Sequence, residues 1–409
     1  TGFHRCGSAC VSDSAVETCG TSCTPCPAPA DSTPICESGT CDFLCADGYA
    51  RCGDACCPTS CPPGEVLYAR TCASRHVQVA SDQGNIGEHS SLALDATGAA
   101  QIACYTRGGK NLKHGGQQAD GTWIVETADA PGEVGQYTSI AVDDAGMVHI
   151  AYYDATAQSL KHAVRLAAAS WSTEVVASGD DVGRYASLAF DAAGLMHVAY
   201  YDQTNGDLML ASQRPAGGWS VQTVDALNDV GSHASLAFDP DGTAHIAYYD
   251  RTNGNLMLAV QQPLDAWSVQ TIDAIDDVGT HASVAFDPTG SAHIAYYDRT
   301  NGSLMLASEG EAGVWNLQTV DTANDVGAHA SLAFHTDGVA HVSYYDATAG
   351  DLKHAMLARG AAWAIEVVDS VGDVGAYSSL GVDAEGHTHI GYYDSTNTNL
   401  KYALIAAPQ

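Results

Sequence analysis

Six histidines occupy one recurring position, His149, His197, His245, His293, His341 and His389, each followed four and five residues later by Tyr and Asp. A serine precedes every set, as Ser235 precedes His245 and Asp250, so Ser, His and Asp recur together. Such a trio could supply a nucleophile, a general base and the carboxylate that orients it. An active site is needed once, however, and this constellation is present six times, so these residues read as structural.

A second position alternates His and Tyr: His89, Tyr137, Tyr185, His233, His281, His329 and Tyr377. Imidazoles there could ligate copper or zinc. Three tyrosines among the seven speak against a uniform metal centre, and a shared aromatic hydrogen-bonding role is the alternative. Acids stand two residues before the recurring glycines, at Glu133, Asp181, Asp229, Asp277, Asp325 and Asp373. With the Tyr-Asp-x-Thr-Asn-Gly segments they offer oxygen for Ca²⁺, which ranks above copper or zinc. No EF-hand or nonapeptide calcium motif is present, turn capping accounts for most of these Asp, and no cofactor is required.

Thirteen of the 14 cysteines lie in a stretch rich in Pro, Gly, Ser and Thr: Cys6, Cys10, Cys19, Cys23, Cys26, Cys36, Cys41, Cys45, Cys52, Cys56, Cys57, Cys61 and Cys72. That density marks a disulfide scaffold in an oxidising compartment, which places the protein outside the cell or on its surface. Pairs such as Cys23 and Cys26, or Cys52 and Cys56, resemble zinc ligands in spacing, but no His sits at finger spacing. The opening Gly2 to Cys10 recurs as Gly48 to Cys56, so Thr1 falls inside a module, and the expectation is a C-terminal part of a longer precursor.

The elements that must position these residues follow from a repeat. A dipeptide ending in Gly87, Gly135, Gly183, Gly231, Gly279, Gly327 and Gly375 recurs every 48 residues without insertion or deletion, the mark of a solenoid, propeller or array. Within one unit, Ser235–Asp239, His245–Asp250, Leu256–Ala259 and Trp267–Ile272 are short, β-branched or aromatic and separated by turn residues, which predicts four strands. Asp239-Pro240-Asp241-Gly242 and the segment Asp250 to Gly254 supply hairpin turns. Large and small side chains alternate, as Leu236 and Phe238 flank Ala237, which suits sheets packed face to face. All six tryptophans, Trp123, Trp171, Trp219, Trp267, Trp315 and Trp363, fall on the fourth strand, and the seventh would fall beyond the C-terminus. One period before Trp123 lies Arg75, followed by His76 to Ala80, the expected missing strand.

The fold class predicted is therefore all-β: a seven-bladed β-propeller over 75–409, closed by residues 76–80, after disulfide-rich Cys modules over 1–74. Closure removes the open sheet edge that a row of blades would leave. By propeller convention the His/Tyr position rings the mouth of a central channel. The first repeat departs from the rule at Gln101, Cys104 and Thr106. Cys104 is expected to be a buried free thiol, although an odd count upstream argues for a bridge. Third strands read Leu-Lys-His-Ala or Leu-Lys-Tyr-Ala around Lys113, Lys161, Lys353 and Lys401, but Leu-Met-Leu-Ala around Met209, Met257 and Met305.

Repeats reading Asp-Val-Gly-x-x-x-Ser-Leu-Ala, then His-Ile-Ala-Tyr-Tyr-Asp, then Thr-Asn-Gly-x-Leu, run here from Asp229 to Leu256. They resemble a repetitive propeller family of secreted bacterial proteins over 76–405, a family that implies a fold and no assigned chemistry. Propeller repeats of this kind imply a buried hydrogen-bonded network, with Ser235, His245 and Asp250 as members. The ring distantly resembles bacterial lectin propellers, with no lectin motif carried over, and the N-terminal region resembles Cys-rich modules of bacterial surface proteins.

Composition narrows the partners. Lys and Arg total 16 against 48 Asp and Glu, a net charge of -32, which repels nucleic-acid phosphate and anionic lipid. No apolar run is long enough to insert in a membrane. The leading expectation is a non-enzymatic, multivalent binding or adhesion module whose ligand is a surface carbohydrate or protein. The alternatives are a glycosidase- or lyase-type enzyme with one site at the channel mouth, and a structural subunit that assembles with other copies in a surface layer or fibre.

Overall fold

Four short apolar runs separated by Asp- and Gly-rich turns can satisfy their backbone groups only by pairing with each other, and each repeat does so as one antiparallel sheet. The computed structural model describes residues 71–166, 170–405 and 407, and before them 3–6, 9–12, 25–26, 32–37, 40–46, 49–51, 56–58 and 65–68. In the fourth repeat the strands are Val230–Phe238, Ala244–Asp250, Asn255–Gln262 and Ala266–Asp273, paired in chain order. Six sheets have this four-stranded order. A further sheet runs Val374–Val382, Thr388–Asp394, Asn399–Ile405, Thr71–Ser81 and Glu65–Tyr68, so a strand from near the N-terminus lies beside the third strand of the last repeat. Among the described residues, helix is confined to two single 3-10 turns, Pro263–Asp265 and Glu311–Gly313.

Contacts divide the chain into two compact units, Val77–Leu404 and Thr1–His76 with Ile405–Gln409. The smaller unit holds short hairpins, Phe3–Cys6 with Ala9–Ser12, Ser32–Glu37 with Thr40–Cys45, and Tyr49–Arg51 with Cys56–Pro58. Cys26 bonds Cys41, and Cys36 and Cys45 are also in disulfides. The side chains of the other cysteines expected to pair, Cys6, Cys10, Cys19, Cys23, Cys52, Cys56, Cys57, Cys61 and Cys72, lie outside the described residues. Cys104 is free and fully buried in an inner strand of the larger unit.

In the larger unit the core sits in the seams between successive sheets. Between the third and fourth repeats, Leu208, Leu210, Val230, Leu236, Ile246 and Tyr248 interlock with Ala199, Ala244 and Ala259, while Met257 and Trp267 cover the edge. Bulky side chains thus meet small ones across each seam, as the alternation requires. The recurring glycine is fixed by the same closeness: Gly231 has φ +100°, and a Cβ there would stand 2.7 Å from Leu208 Cα of the preceding repeat.

One hydrogen bond repeats at every seam. Ser235 Oγ accepts the Val284 amide at 3.0 Å, and Ser91, Ser139, Ser187, Ser283 and Ser331 accept the equivalent amide of the next repeat. Ser379 accepts the Leu92 amide at 2.9 Å, which ties the last repeat to the first. The first strands therefore stand side by side in a circle.

Candidate functional site

The first strand is bulged twice near its start. In the fourth repeat Val230 pairs Asp250, Ser232 pairs Tyr249 and Ser235 pairs Ala247, so an extra residue is accommodated on each side of Ser232. The second bulge holds His233 in the left-handed region at φ +54°, and the same happens at all seven positions of the His/Tyr series, with φ of 53–56°. Their side chains turn inward and meet. His89, Tyr137, Tyr185, His233, His281, His329 and Tyr377 form a closed ring in which neighbouring centroids lie 4.4–4.8 Å apart. They line a well of about 190 Å³. Hydroxyls brace the ring from behind: Ser90 Oγ donates to the Tyr377 carbonyl at 2.6 Å, Thr138 Oγ1 to that of His89, and Ser378 Oγ to that of His329 at 2.7 Å.

A second aromatic ring surrounds the first. The hydroxyls of Tyr105, Tyr153, Tyr201, Tyr249, Tyr297 and Tyr345 donate to Glu133, Asp181, Asp229, Asp277, Asp325 and Asp373 of the next repeat at 2.5–3.1 Å. Tyr393 donates to Asn85 Oδ1 at 2.8 Å, so the circle runs on from the last repeat to the first. Each of these tyrosines lies 6.2–6.5 Å from the inner-ring residue of its own repeat. Arginines sit on the same acids, with Arg184 2.8 Å from Asp181, Arg251 3.3 Å from Asp229 and Arg299 3.4 Å from Asp277.

These surroundings hold the ring neutral. Partial desolvation among the neighbouring rings lowers His89 and His281 to about 4, and it sets His233 and His329 well below the usual imidazole value. Desolvation followed by the hydrogen bond to a carboxylate raises Tyr153, Tyr201 and Tyr249 to about 12, so their protons stay in place as donors. At neutral pH the face offers imidazole nitrogens, phenol hydroxyls and aromatic edges, without a charged acid-base pair inside the well. Among the described residues no group of three or more His, Cys, Asp or Glu is placed to hold a metal ion.

The residues expected to form one network, Ser235, His245 and Asp250, do not meet. Ser235 serves the next repeat, His245 Nε2 faces Asp239 Oδ2 at 3.3 Å, and Asp250 accepts the Thr252 and Asn253 amides and the Asn253 side chain. The reason is the strand: at ~3.3 Å per residue, five residues put His245 and Asp250 ~16 Å apart, at opposite ends. His149, His197, His293 and His389 likewise face Asp143, Asp191, Asp287 and Asp383 at 3.1–3.4 Å. In the sixth repeat His335 replaces that Asp, and His341 keeps the contact of its Nδ1 with His354 Nε2 at 3.2 Å, as His149 meets His162 in the second. In the first repeat Gln101 takes the part of His, bridging Asp95 and His114, while Thr106 bonds the Gly84 carbonyl in place of a turn cap.

The Tyr four residues after each His and the acids before each Gly were legible as recurrences, but not their pairing across the seam at a spacing of 28 residues. The split among third strands corresponds to partners across the seams, except at Lys113, whose Nζ donates to Thr127 Oγ1 of its own repeat. Lys161, Lys353 and Lys401 reach back into the preceding repeat to Asp129, Asp321 and Asp369, which also accept Tyr152, Tyr344 and Tyr392 hydroxyls. Where Met stands, Oδ2 of Asp225 and of Asp273 accepts Tyr248 and Tyr296 alone, Oδ1 being held by the Leu227 and Ile275 amides, and opposite Met209 the acid is itself replaced by Ala177.

No protein-family model matches the sequence. No curated protein is similar to it. The solved structures it resembles are β-propeller-like proteins. An ulvan lyase of polysaccharide lyase family 25, bound to -[GlcA(1-4)Rha3S]-, is similar at TM-score 0.55 and 11% identity, over 84% of this chain and 96% of that one. The Hadza microbial sialidase Hz136 is similar at 0.51 and 14%, over 76% and 74%. A mutant of AofleA from Arthrobotrys oligospora is similar at 0.51 and 14%, over 74% and 92%. At such identities the likeness concerns the fold alone.

Proposed function

We propose that the chain is an extracellular or cell-surface binding module, not an enzyme, which engages carbohydrate through the face bearing the two aromatic rings. Residues 75–409 are read as seven blades closed by residues 76–80, after a disulfide-rich region over 1–74. The observation that carries the reading is sevenfold repetition of one neutral, hydrogen-bonding aromatic position around a well. Seven equivalent weak contacts suit a multivalent ligand, whereas a catalytic site would need one copy set apart from the rest. Neutral imidazole and phenol groups match the hydroxyls of a sugar without demanding charge. A saccharide is also named for the ulvan lyase among the structural neighbours, which share only the fold.

The test compares two variants on one immobilised surface glycan selected by array. Replacing His233, His281 and His329 together with Ala is expected to weaken binding at least tenfold while circular dichroism is retained. Rebuilding the loops 213–218 and 309–314 at the other end of the strands should change it less than twofold. Loss confined to the loop variant would move the site to the other face. If the parent chain binds neither surface glycan nor surface protein, a structural subunit becomes the better reading.

A further inference from the structure

A cleft of about 580 Å³ opens between the fifth and sixth repeats, at the end of the strands opposite the ring. Its origin is local. In the sixth repeat the pairing of third and fourth strands stops at Met356 with Ala364, whereas in the third and fifth repeats it continues to Gln213 with Trp219 and Glu309 with Trp315. The segment 358–363 is left as a longer loop and the cleft opens beside it, while Trp363 still packs against the core of the seam. Leu306, Phe334 and Leu357 line the apolar part, with Phe334 4.8 Å from the His293 ring.

The rim is polar and partly unsatisfied. Arg107, Arg184, Arg251 and Arg299 pair with carboxylates, whereas the exposed Arg359 has no side-chain hydrogen-bond or ion-pair partner among the described residues, as is true of Arg214 in the corresponding turn of the third repeat. The Gln318 amide beside the cleft has none either. Asp337 takes both its partners, the Val339 amide and His335 Nδ1, on Oδ1. Asp287 Oδ2 faces His293 Nε2 at 3.4 Å. A guanidinium and an amide can donate, and a carboxylate oxygen can accept, around an apolar wall of a volume usual for small-ligand sites. Asp287 and Asp337, the latter paired with His335, against the single Arg359 give the rim no excess of positive charge to favour an anion.

We infer that this cleft is a second binding site, one per chain, for a neutral saccharide unit whose hydroxyls meet Arg359, Gln318 and Asp337 while its apolar face rests on the Leu306 and Phe334 wall. The inference rests on the carbohydrate reading above and adds a separate place for it.

Titration calorimetry of the full chain with methyl glycosides of neutral hexoses and 6-deoxyhexoses, and with glucuronic acid, tests it. At least one neutral glycoside is expected to saturate at one site per chain, with Arg359→Ala and Gln318→Ala each weakening it at least tenfold at unchanged melting temperature. Glucuronic acid should bind no more tightly than the neutral sugar. Saturation unaffected by both substitutions, the absence of a single-site isotherm, or tighter glucuronate binding lost in Arg359→Ala would each overturn the inference. If the cleft fails while the His233, His281 and His329 variant still loses glycan binding, only this inference falls. Failure of both removes the carbohydrate reading itself.

Discussion

His89, Tyr137, Tyr185, His233, His281, His329 and Tyr377 hold φ of 53–56°, a region that L-residues other than Gly, Asn and Asp seldom adopt and that costs roughly 1–2 kcal/mol at each position. The cost recurs seven times, and what it achieves is to turn seven aromatic side chains into one ring. The same crowding has a pH consequence. An imidazole whose folded value lies below its unfolded one binds its proton more tightly in the unfolded chain, so stability must fall as pH drops below about 6.5. His89, His281 and His162 are lowered to about 4 and His341 to about 3, all chiefly by burial. The melting temperature should therefore be level above pH 7 and decline steadily from pH 6.5 towards 4, as followed by differential scanning fluorimetry. A level profile down to pH 5 would show that these rings are not shielded from water.

At the scale of the strand and its seam, the buried Lys353 with Asp321 can be set against two natural alternatives within the same molecule. Asp225 and Asp273 stand opposite Met with a tyrosine as the one side-chain donor, and Met209 stands opposite Ala177. Asp321→Ala would leave the ammonium of Lys353 buried without its counter-charge and is expected to cost about 3–5 kcal/mol. Lys353→Met keeps the Tyr344 hydrogen bond to Asp321, so a smaller loss of about 1–3 kcal/mol is expected. The double substitution reproduces the seam of Met209 and should recover most of the larger loss. Urea unfolding of the three variants measures this, and strict additivity would show that the pair is not coupled.

For the whole molecule, the circle is joined between the last and first repeats by Ser379 with Leu92, Tyr393 with Asn85 and the Ile86 amide with the Thr398 carbonyl, besides the strand Thr71–Ser81. Deleting residues 76–80 leaves those inner hydrogen bonds possible but bares the edge of Asn399–Ile405. A fall in melting temperature of about 10 °C or more is expected, with aggregation rising as the free edge finds partners. Unchanged melting would place the closing strand elsewhere.

What the sequence determined by itself was whatever is local and periodic. The 48-residue spacing, four strands per unit, the Asp and Gly turns, the large and small alternation and the cysteine-rich start are each written in adjacent residues, because strand period and turn chemistry act over a few positions. The His/Tyr series was legible for the same reason. Partners across seams were not. Ser235 finds Val284 49 residues on, Tyr249 finds Asp277 28 on, and Lys353 finds Asp321 32 back. Every repeat offers near-identical candidates, so only the packing of one sheet on the next selects among them. His245 pairs with Asp239 and not Asp250 because strand geometry, not proximity in sequence, sets reach. The left-handed ring residues depend on two bulges that no residue type announces, and the cleft beside Arg359 opens at the one of six third-to-fourth-strand hairpins that ends its pairing early.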